Sequence, residues 1–327
     1  MGQPFPVTPG IERISGRTGD GSAGYVTAFS SFEPYELTTY LEEMATALPG
    51  VKVVIERMPT GLLAAEFSRR RPAERPCMIL GWADTAAAAT RFSEFIVTAD
   101  GSIASDPDGL IRPTGFSIAF ICDRPGLAAR GLAPPTTWHE LEEPRLRQRL
   151  LFPDPRLSGA GFLALSTVLQ AFGNDEGWRL MEAIDRNVLS YPASSWDSAK
   201  AVGEGLVLVG VTVRIAAARR NASCAMTDLT VPREAEGLES EVYGITRFAR
   251  DRAATSAVLA WFADPARAPM FERFSKVTCM NDGAGTLYPV DAAVAAVGRA
   301  AAFIRFSEIT ARRAGNNENR INSNDHV

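Results

Sequence analysis

The chain is short of the side chains that carry most enzymatic chemistry. Its 327 residues include two histidines, His139 and His326, and four cysteines, Cys77, Cys122, Cys224 and Cys279, far apart and with no C-x-x-C pair. That leaves little material for a metal centre, a redox dithiol or a histidine-based mechanism. No run approaches the roughly 18 consecutive apolar residues that cross a bilayer. A basic excess is missing too: 34 Lys and Arg face 38 Asp and Glu, a net charge of −4, whereas nucleic-acid binders concentrate positive charge. Residues 1–23 are rich in Gly, Pro and Ser and contain no apolar signal core, which fits a cytoplasmic protein or a mature exported one. The polar tail from Ala314 reads as loosely attached, and residues 1–21 and 314–327 are expected to be flexible ends.

The composition is otherwise that of a globular chain, 46% hydrophobic and 22% charged, and its length suggests two domains. From Gly24 the pattern is regular. Gly24 to Ser30 reads as a strand, and Pro34 to Leu48 carries Leu37, Tyr40, Leu41, Met44 and Leu48 at helical spacing. Val51 to Met58 is a second strand, Thr60 starts a helix, Cys77 to Gly81 is a third strand, and Asp84 opens another helix. Such alternation implies an α/β fold with a parallel sheet, whose strand-to-helix loops share one edge. Those loops hold Ser30 and Ser31, Thr60 and Gly61, and Trp82, Ala83, Asp84 and Thr85; ligands of open α/β sheets bind at that edge.

A second α/β unit starts near Phe116, with strands at Phe116 to Cys122, Leu150 to Pro153 and Leu206 to Val213. Helices are expected from Ser158 to Phe172, Gly177 to Val188 and Ser194 to Gly205. Cys224 to Val231 and Val242 to Phe248 read as further strands. Asp251 to Phe274 reads as helices broken at Asp264-Pro265, and Val290 to Ile304 as a closing helix. The run Arg69-Arg70-Arg71 reads as a solvated helix end.

Pro135 to Phe162, PTTWHELEEPRLRQRLLFPDPRLSGAGF, resembles the extracellular solute-binding proteins of ABC importers, in the branch for iron(III), thiamine, phosphonates and sugar phosphates. Ala160 stands for that family's usual threonine and Phe162 for its usual tyrosine. Ser194 to Val213 and Val242 to Pro265 are similar to further family segments in the same order. The resemblance implies a type II periplasmic-binding-protein fold: lobe one at 22–115 plus 229–310, lobe two at 116–228, and two crossing strands between. It also implies an interlobe cleft that closes by a hinge on a small solute, without catalysis or cofactor. The partner would be a membrane permease of the importer, and the protein a periplasmic monomer, its leader already removed.

Within that frame, Ser158, Gly159, Ala160 and Gly161 open a helix whose unpaired N–H groups and positive dipole end suit an anion. Thr60 and Gly61 follow the same logic in the other lobe. Arg214, just after Leu206 to Val213, is placed by the resemblance near the cleft, where a guanidinium can grip an oxyanion. Asp84 could meet a ligand amine or simply cap its helix. Trp82 and Trp196 could wall the site or belong to the core. Ser30, Ser31, Ser194 and Ser195 could touch the ligand or only terminate strands and cap helices. The ligand expected is a small anion or zwitterion: a phosphonate, phosphate ester or carboxylate. Three other functions stand beside this one. Ferric ion is bound in related proteins by adjacent tyrosines, but the corresponding segment here is Val213-Arg214-Ile215-Ala216, and an arginine does not suit a cation. A periplasmic sensor would present the same ligand to a receptor kinase, and an enzyme would have to work through carboxylates such as Asp84 or Glu33.

Overall fold

The structure, a computed structural model, describes residues 11–14, 18–58, 60–82, 110–278 and 287–324. In chain order they form β1 (Glu12–Ile14), β2 (Gly24–Ser30), α1 (Pro34–Ala47), β3 (Val51–Arg57), α2 (Thr60–Arg69), β4 (Met78–Trp82) and β5 (Leu110–Asp123). Next come α3 (Arg124–Ala128), β6 (Leu150–Leu151), α4 (Gly159–Phe172), α5 (Asn174–Asp185), β7 (Val188–Ser190), α6 (Ser195–Gly203), β8 (Val209–Val213) and α7 (Arg214–Ser223). The chain closes with β9 (Thr227–Thr230), β10 (Glu236–Ile245), α8 (Arg252–Ala263), α9 (Ala268–Glu272), β11 (Leu287–Pro289) and α10 (Ala292–Asn324). It divides into two compact units, Met1–Gly115 with Glu239–Asp282 and Phe116–Leu238 with Gly283–Val327, so β5 and β10 each contribute to both. The sequence suggested 229–310 for the first lobe; the contacts group 283–327 with the second unit.

In the first unit the strand order is β1-β3-β2-β4-β10, with β2, β3 and β4 parallel and the two outer strands antiparallel. Val26, Ala28, Val53, Ile55, Met78 and Leu80 share a core with Leu37, Tyr40, Leu41 and Met44 of α1 and with Val258 and Phe262 of α8. Phe29, Ile79 and Val242 share a second core with Leu63 and Phe67 of α2. Burying a side chain of this size contributes about 1.5–3 kcal/mol, which makes the α1 stripe a main anchor of the unit. Pro34 at the first turn and the reciprocal capping of Glu33 and Glu36 start α1 where the sequence places it.

Two expectations for this unit change. Residues 12–14, expected within a flexible end, form β1 on the free edge of β3, with Arg13 bonded to Glu56 at 3.3 Å and Ile11 buried. The arginine run is only partly solvated. Arg70 is 12% exposed and pairs with Glu66 at 2.5 Å and Glu56 at 2.9 Å, because Glu66 is itself buried.

Trp82 is placed by one glycine. On an even strand it would follow Met78 and Leu80 towards α1, yet it lies in the α2-side core with Ile79. Gly81 has φ +61, and the pairing with β10 slips there: Val242 faces Trp82 while Gly244 faces Ile79. The positive φ of a glycine bulge turns the strand over by one residue.

The second unit has the order β9-β5-β8-β6-β7, with β6 parallel to both β7 and β8, and β5 antiparallel to β8 and β9. Helix α4 is buried continuously from Ala160 to Val168, so it runs through the centre of the unit. The closing helix extends further than its apolar pattern suggested, through the polar tail to Asn324. It packs by Phe303 against Phe162 and by Phe306 against Tyr191, with ring centroids 5.5 and 5.0 Å apart, and Arg305 pairs with Glu182 at 3.2 Å. The segment Thr137 to Glu142 is fixed by Trp138, whose indole N–H donates to the Ala235 carbonyl at 2.8 Å. Cys77, Cys122 and Cys224 are free thiols, and burial pushes the Cys122 thiol up to about 12.

A Cβ on Gly81 would stand 2.1 Å from the Phe32 ring in a backbone conformation that L-residues avoid. Gly81→Ala is therefore expected to destabilise the protein by about 2–4 kcal/mol. Urea unfolding followed by circular dichroism measures it, and an unchanged midpoint would contradict the bulge.

Candidate functional site

The parallel direction of β6, β7 and β8 brings the segments after them to one edge of the second unit. After β6, Asp154 accepts from Nε and Nη2 of Arg156, at 2.9 and 2.6 Å, and the Asp154 N–H donates to the Pro192 carbonyl at 2.8 Å. This ties the approach to α4 to the loop after β7. Ser158 then caps α4, its hydroxyl accepting from the Gly161 N–H at 3.2 Å. A Cβ on Gly161 would lie 2.4 Å from the Pro153 carbonyl oxygen, so the helix starts directly against the preceding loop. Ser158 thus uses its hydroxyl for the cap, while the N–H groups of Gly159 and Ala160 have no bonding partner among the described residues.

The neighbouring segments repeat the arrangement. Ser194 caps α6, accepting from the Trp196 N–H at 3.2 Å, and the buried Thr212 hydroxyl donates to the Ser195 carbonyl at 2.8 Å, joining α6 to β8. Arg214 follows β8 as the first residue of α7. Its Nη1 donates to the Glu236 carboxylate at 3.2 Å, and that carboxylate also accepts from the Ser117 hydroxyl at 2.6 Å. The guanidinium is half exposed while Glu236 is buried. Ser158 to Gly161, Ser194, Ser195 and Arg214 therefore share one sheet edge. Trp196 turns instead into a separate cavity of about 240 Å³ with Lys200, Arg219 and Arg220.

In the first unit the side chains at the corresponding edge bond to one another and to the local backbone. The Ser30 hydroxyl accepts from the Phe32 N–H at 3.1 Å and the Ser31 hydroxyl donates to the Gly81 carbonyl at 2.6 Å, so both serines shape the turn. Arg57 donates to the Phe32 carbonyl at 3.0 Å and to Glu33 at 2.9 Å. Thr60 and Gly61 do begin a helix at this edge. Trp82 is 1% exposed and belongs to the core, for the backbone reason given above. Ala83 and Asp84 lie outside the described residues. Among the described residues, no three His, Cys, Asp or Glu side chains are grouped to hold a metal ion.

The sequence profile of the family described as "Bacterial extracellular solute-binding protein" matches residues 35–274. The chain belongs to that family. Among solved structures, the periplasmic binding protein AfuA from Actinobacillus pleuropneumoniae, with exogenous fructose-6-phosphate bound, superposes with a TM-score of 0.76. It is 15% identical, with 88% of this chain and 99% of that one covered. The substrate-binding protein of an ABC transporter from Agrobacterium tumefaciens gives 0.76 at 16% identity, covering 92% of this chain and 98% of that one. At these identities the likeness establishes the fold, the type II periplasmic-binding-protein fold expected from the sequence. In sequence, the phosphoglycerate transport regulatory protein PgtC of Salmonella typhimurium is 30% identical over 108 residues, 32% of this chain. The chain matches only about a third or less of its curated relatives' length, 27% for PgtC.

The solute-binding protein also holds a buried charge cluster that its pattern did not announce. Lys276 donates to Glu241 at 2.5 Å and to Glu36 at 3.1 Å, with all three side chains at most 4% exposed. The Thr114 hydroxyl lies 2.6 Å from the second oxygen of Glu241 and 2.7 Å from the Tyr243 hydroxyl. The Lys276 ammonium sits 4.6 Å from the centre of the Phe32 ring. Burial pushes Glu241 up, opposed by Lys276. Burial also pulls Lys276 down, but Glu241 and Glu36 outweigh it and the net shift is upward. The cluster joins β5, β10, α1 and residue 276 within the first unit. The available signals were polar residues inside apolar strands, Thr114 on β5 and Glu241 on β10.

Removing the ammonium strands two buried carboxylates. Lys276→Met is expected to cost about 3–5 kcal/mol, and adding Glu241→Gln to recover part of it. Because the folded lysine titrates above 10.5, its contribution is present below that value and lost as pH rises through the folded one. Tyr40 and Tyr243, held neutral by burial, act in the same sense. Urea titrations from pH 7 to 11 should show wild-type stability falling above pH 10.5 more steeply than that of Lys276→Met.

Proposed function

We propose that this chain is the solute-binding component of an ABC importer, that it works in the periplasm with a membrane permease, and that its solute is a small phosphorylated or otherwise anionic molecule. The observation that carries the reading is the edge of the second unit, where two unbonded N–H groups open α4 and the half-exposed Arg214 stands beyond the adjacent strand β8. Peptide donors at a helix start stabilise an anion through the dipole, and a guanidinium adds a charge-assisted bond. Residue types support an anion over ferric ion, because Arg214 occupies the position after β8 and no tyrosine accompanies it. The kinship agrees: AfuA is described with fructose-6-phosphate bound, and PgtC is named for phosphoglycerate transport. Binding and release without turnover is the activity proposed.

A melting-temperature panel tests this. Fructose 6-phosphate, 3-phosphoglycerate, a phosphonate, a dicarboxylate and ferric citrate would each be added to the apo protein. A ligand at a hundred times its Kd stabilises the native state by about 2.7 kcal/mol. At least one organic anion is expected to raise the Tm; a rise with ferric ion alone would end the anion reading. Gly159→Pro is the sharper probe. Proline at the first helical position deletes one N–H and is well tolerated there, and Ser158 already has the extended backbone that a following proline requires. The variant should melt within a few degrees of wild type and bind the shifting ligand about tenfold more weakly.

A further inference from the structure

Arg214 stands where a cation is electrostatically out of place. It is the first residue of a ten-residue helix, α7, whose positive dipole end repels a guanidinium. Its side chain is half exposed and free to leave along many rotamers. Against both tendencies stands Glu236, with a side chain only 3% exposed, whose Oε1 accepts from Arg214 Nη1 at 3.2 Å and from the Ser117 hydroxyl at 2.6 Å. Glu236 begins β10 and Ser117 lies on β5 next to Ile118, which faces Val213, the residue before Arg214. The carboxylate is thus fixed by two strands and reaches the end of a third. Burying a carboxylate is costly unless it is paired, so this arrangement would be wasteful as mere surface decoration.

From this geometry we infer that Glu236 is a positioning residue: it holds the Arg214 guanidinium at the sheet edge so that the remaining N–H groups face the anion. The inference rests on the anionic-solute reading. Glu236 acts through Arg214 and, being buried, does not itself touch the solute. Its charge offsets the dipole and holds the side chain in one orientation before the solute arrives. Ser117 in turn holds the carboxylate, so the series runs from strand hydroxyl to buried acid to exposed base.

The experiment is a double-mutant cycle with isothermal titration, using whichever of fructose 6-phosphate and 3-phosphoglycerate binds wild type. Glu236→Gln is expected to weaken binding about tenfold, and to have no further effect once Arg214→Ala is present. Additive losses would overturn the inference, since Glu236 would then act independently of Arg214. Tighter binding by Glu236→Gln would overturn it too, by making the carboxylate a competitor of the solute. If Glu236→Gln fails to fold, Glu236→Asp, which keeps the charge and withdraws it by one methylene, is expected to show the same coupling. A readout without solute separates the two readings: the Arg214 Nη1–H resonance should be slowly exchanging in wild type and lost in Glu236→Gln. If that resonance does not change, the positioning role fails whether or not an anion binds. If wild type binds neither probe, nor the phosphonate and dicarboxylate of the melting panel, the anion reading fails, and the inference with it, in a titration that needs no variant.

Discussion

Every α-helix begins with N–H groups that no earlier turn can satisfy, and that constraint organises the edge of the second unit proposed as the binding site. Three parallel strands deliver three segments to one side of the sheet, and each must deal with its unbonded donors. Serine side chains satisfy some of them at α4 and α6. The N–H groups of Gly159 and Ala160 remain, in a segment held by the Asp154–Arg156 pair and the contact of Gly161 with Pro153. Unsatisfied donors on a rigid backbone are what an anion needs, and they need no metal or cofactor to act.

The two buried acids of β10 show how charge can serve a strand. Glu241 meets Lys276 and Thr114 in the first unit, and Glu236 meets Arg214 and Ser117 in the second. In each case a hydroxyl on β5 and a cation from outside the strand complete the acid. A buried carboxylate left alone would be neutralised or expelled, so the partners are a condition of these strands running where they do. The result is a pair of long strands with polar groups at fixed positions along an otherwise apolar path.

Much of the architecture was legible because it rests on periodicity. The stripe of α1, the strand before it and the cap at Ser158 appear where residue spacing puts them. The limits of β5 and β10 were not, because Thr114, Glu236 and Glu241 look like loop residues until their partners are known, and those partners are up to 129 residues away. β5 accordingly begins at Leu110 rather than Phe116, and β10 begins at Glu236 rather than Val242. Trp82 illustrates a different limit. The strand was expected to end at Gly81 with Trp82 in the loop beyond it; it runs on through Trp82, and the side that residue faces depends on a glycine dihedral that composition does not encode. Ser30 and Ser31 sit at the expected edge, yet their hydroxyls are engaged with Phe32 and Gly81. The helical course of residues 314–324 was missed because the tail lacks an apolar stripe of its own and continues a helix seated by Phe303 and Phe306.

The closeness of Gly161 to the Pro153 carbonyl leaves no slack between the end of β6 and the first turn of α4. Loop and helix start are therefore packed without a gap, and under the proposed function those peptide groups are in order before a solute arrives. Whatever associates there loses its own freedom but need not organise its host, so affinity can come from few contacts. A larger residue at 161 would prise the two apart and return that disorder to the moment of capture.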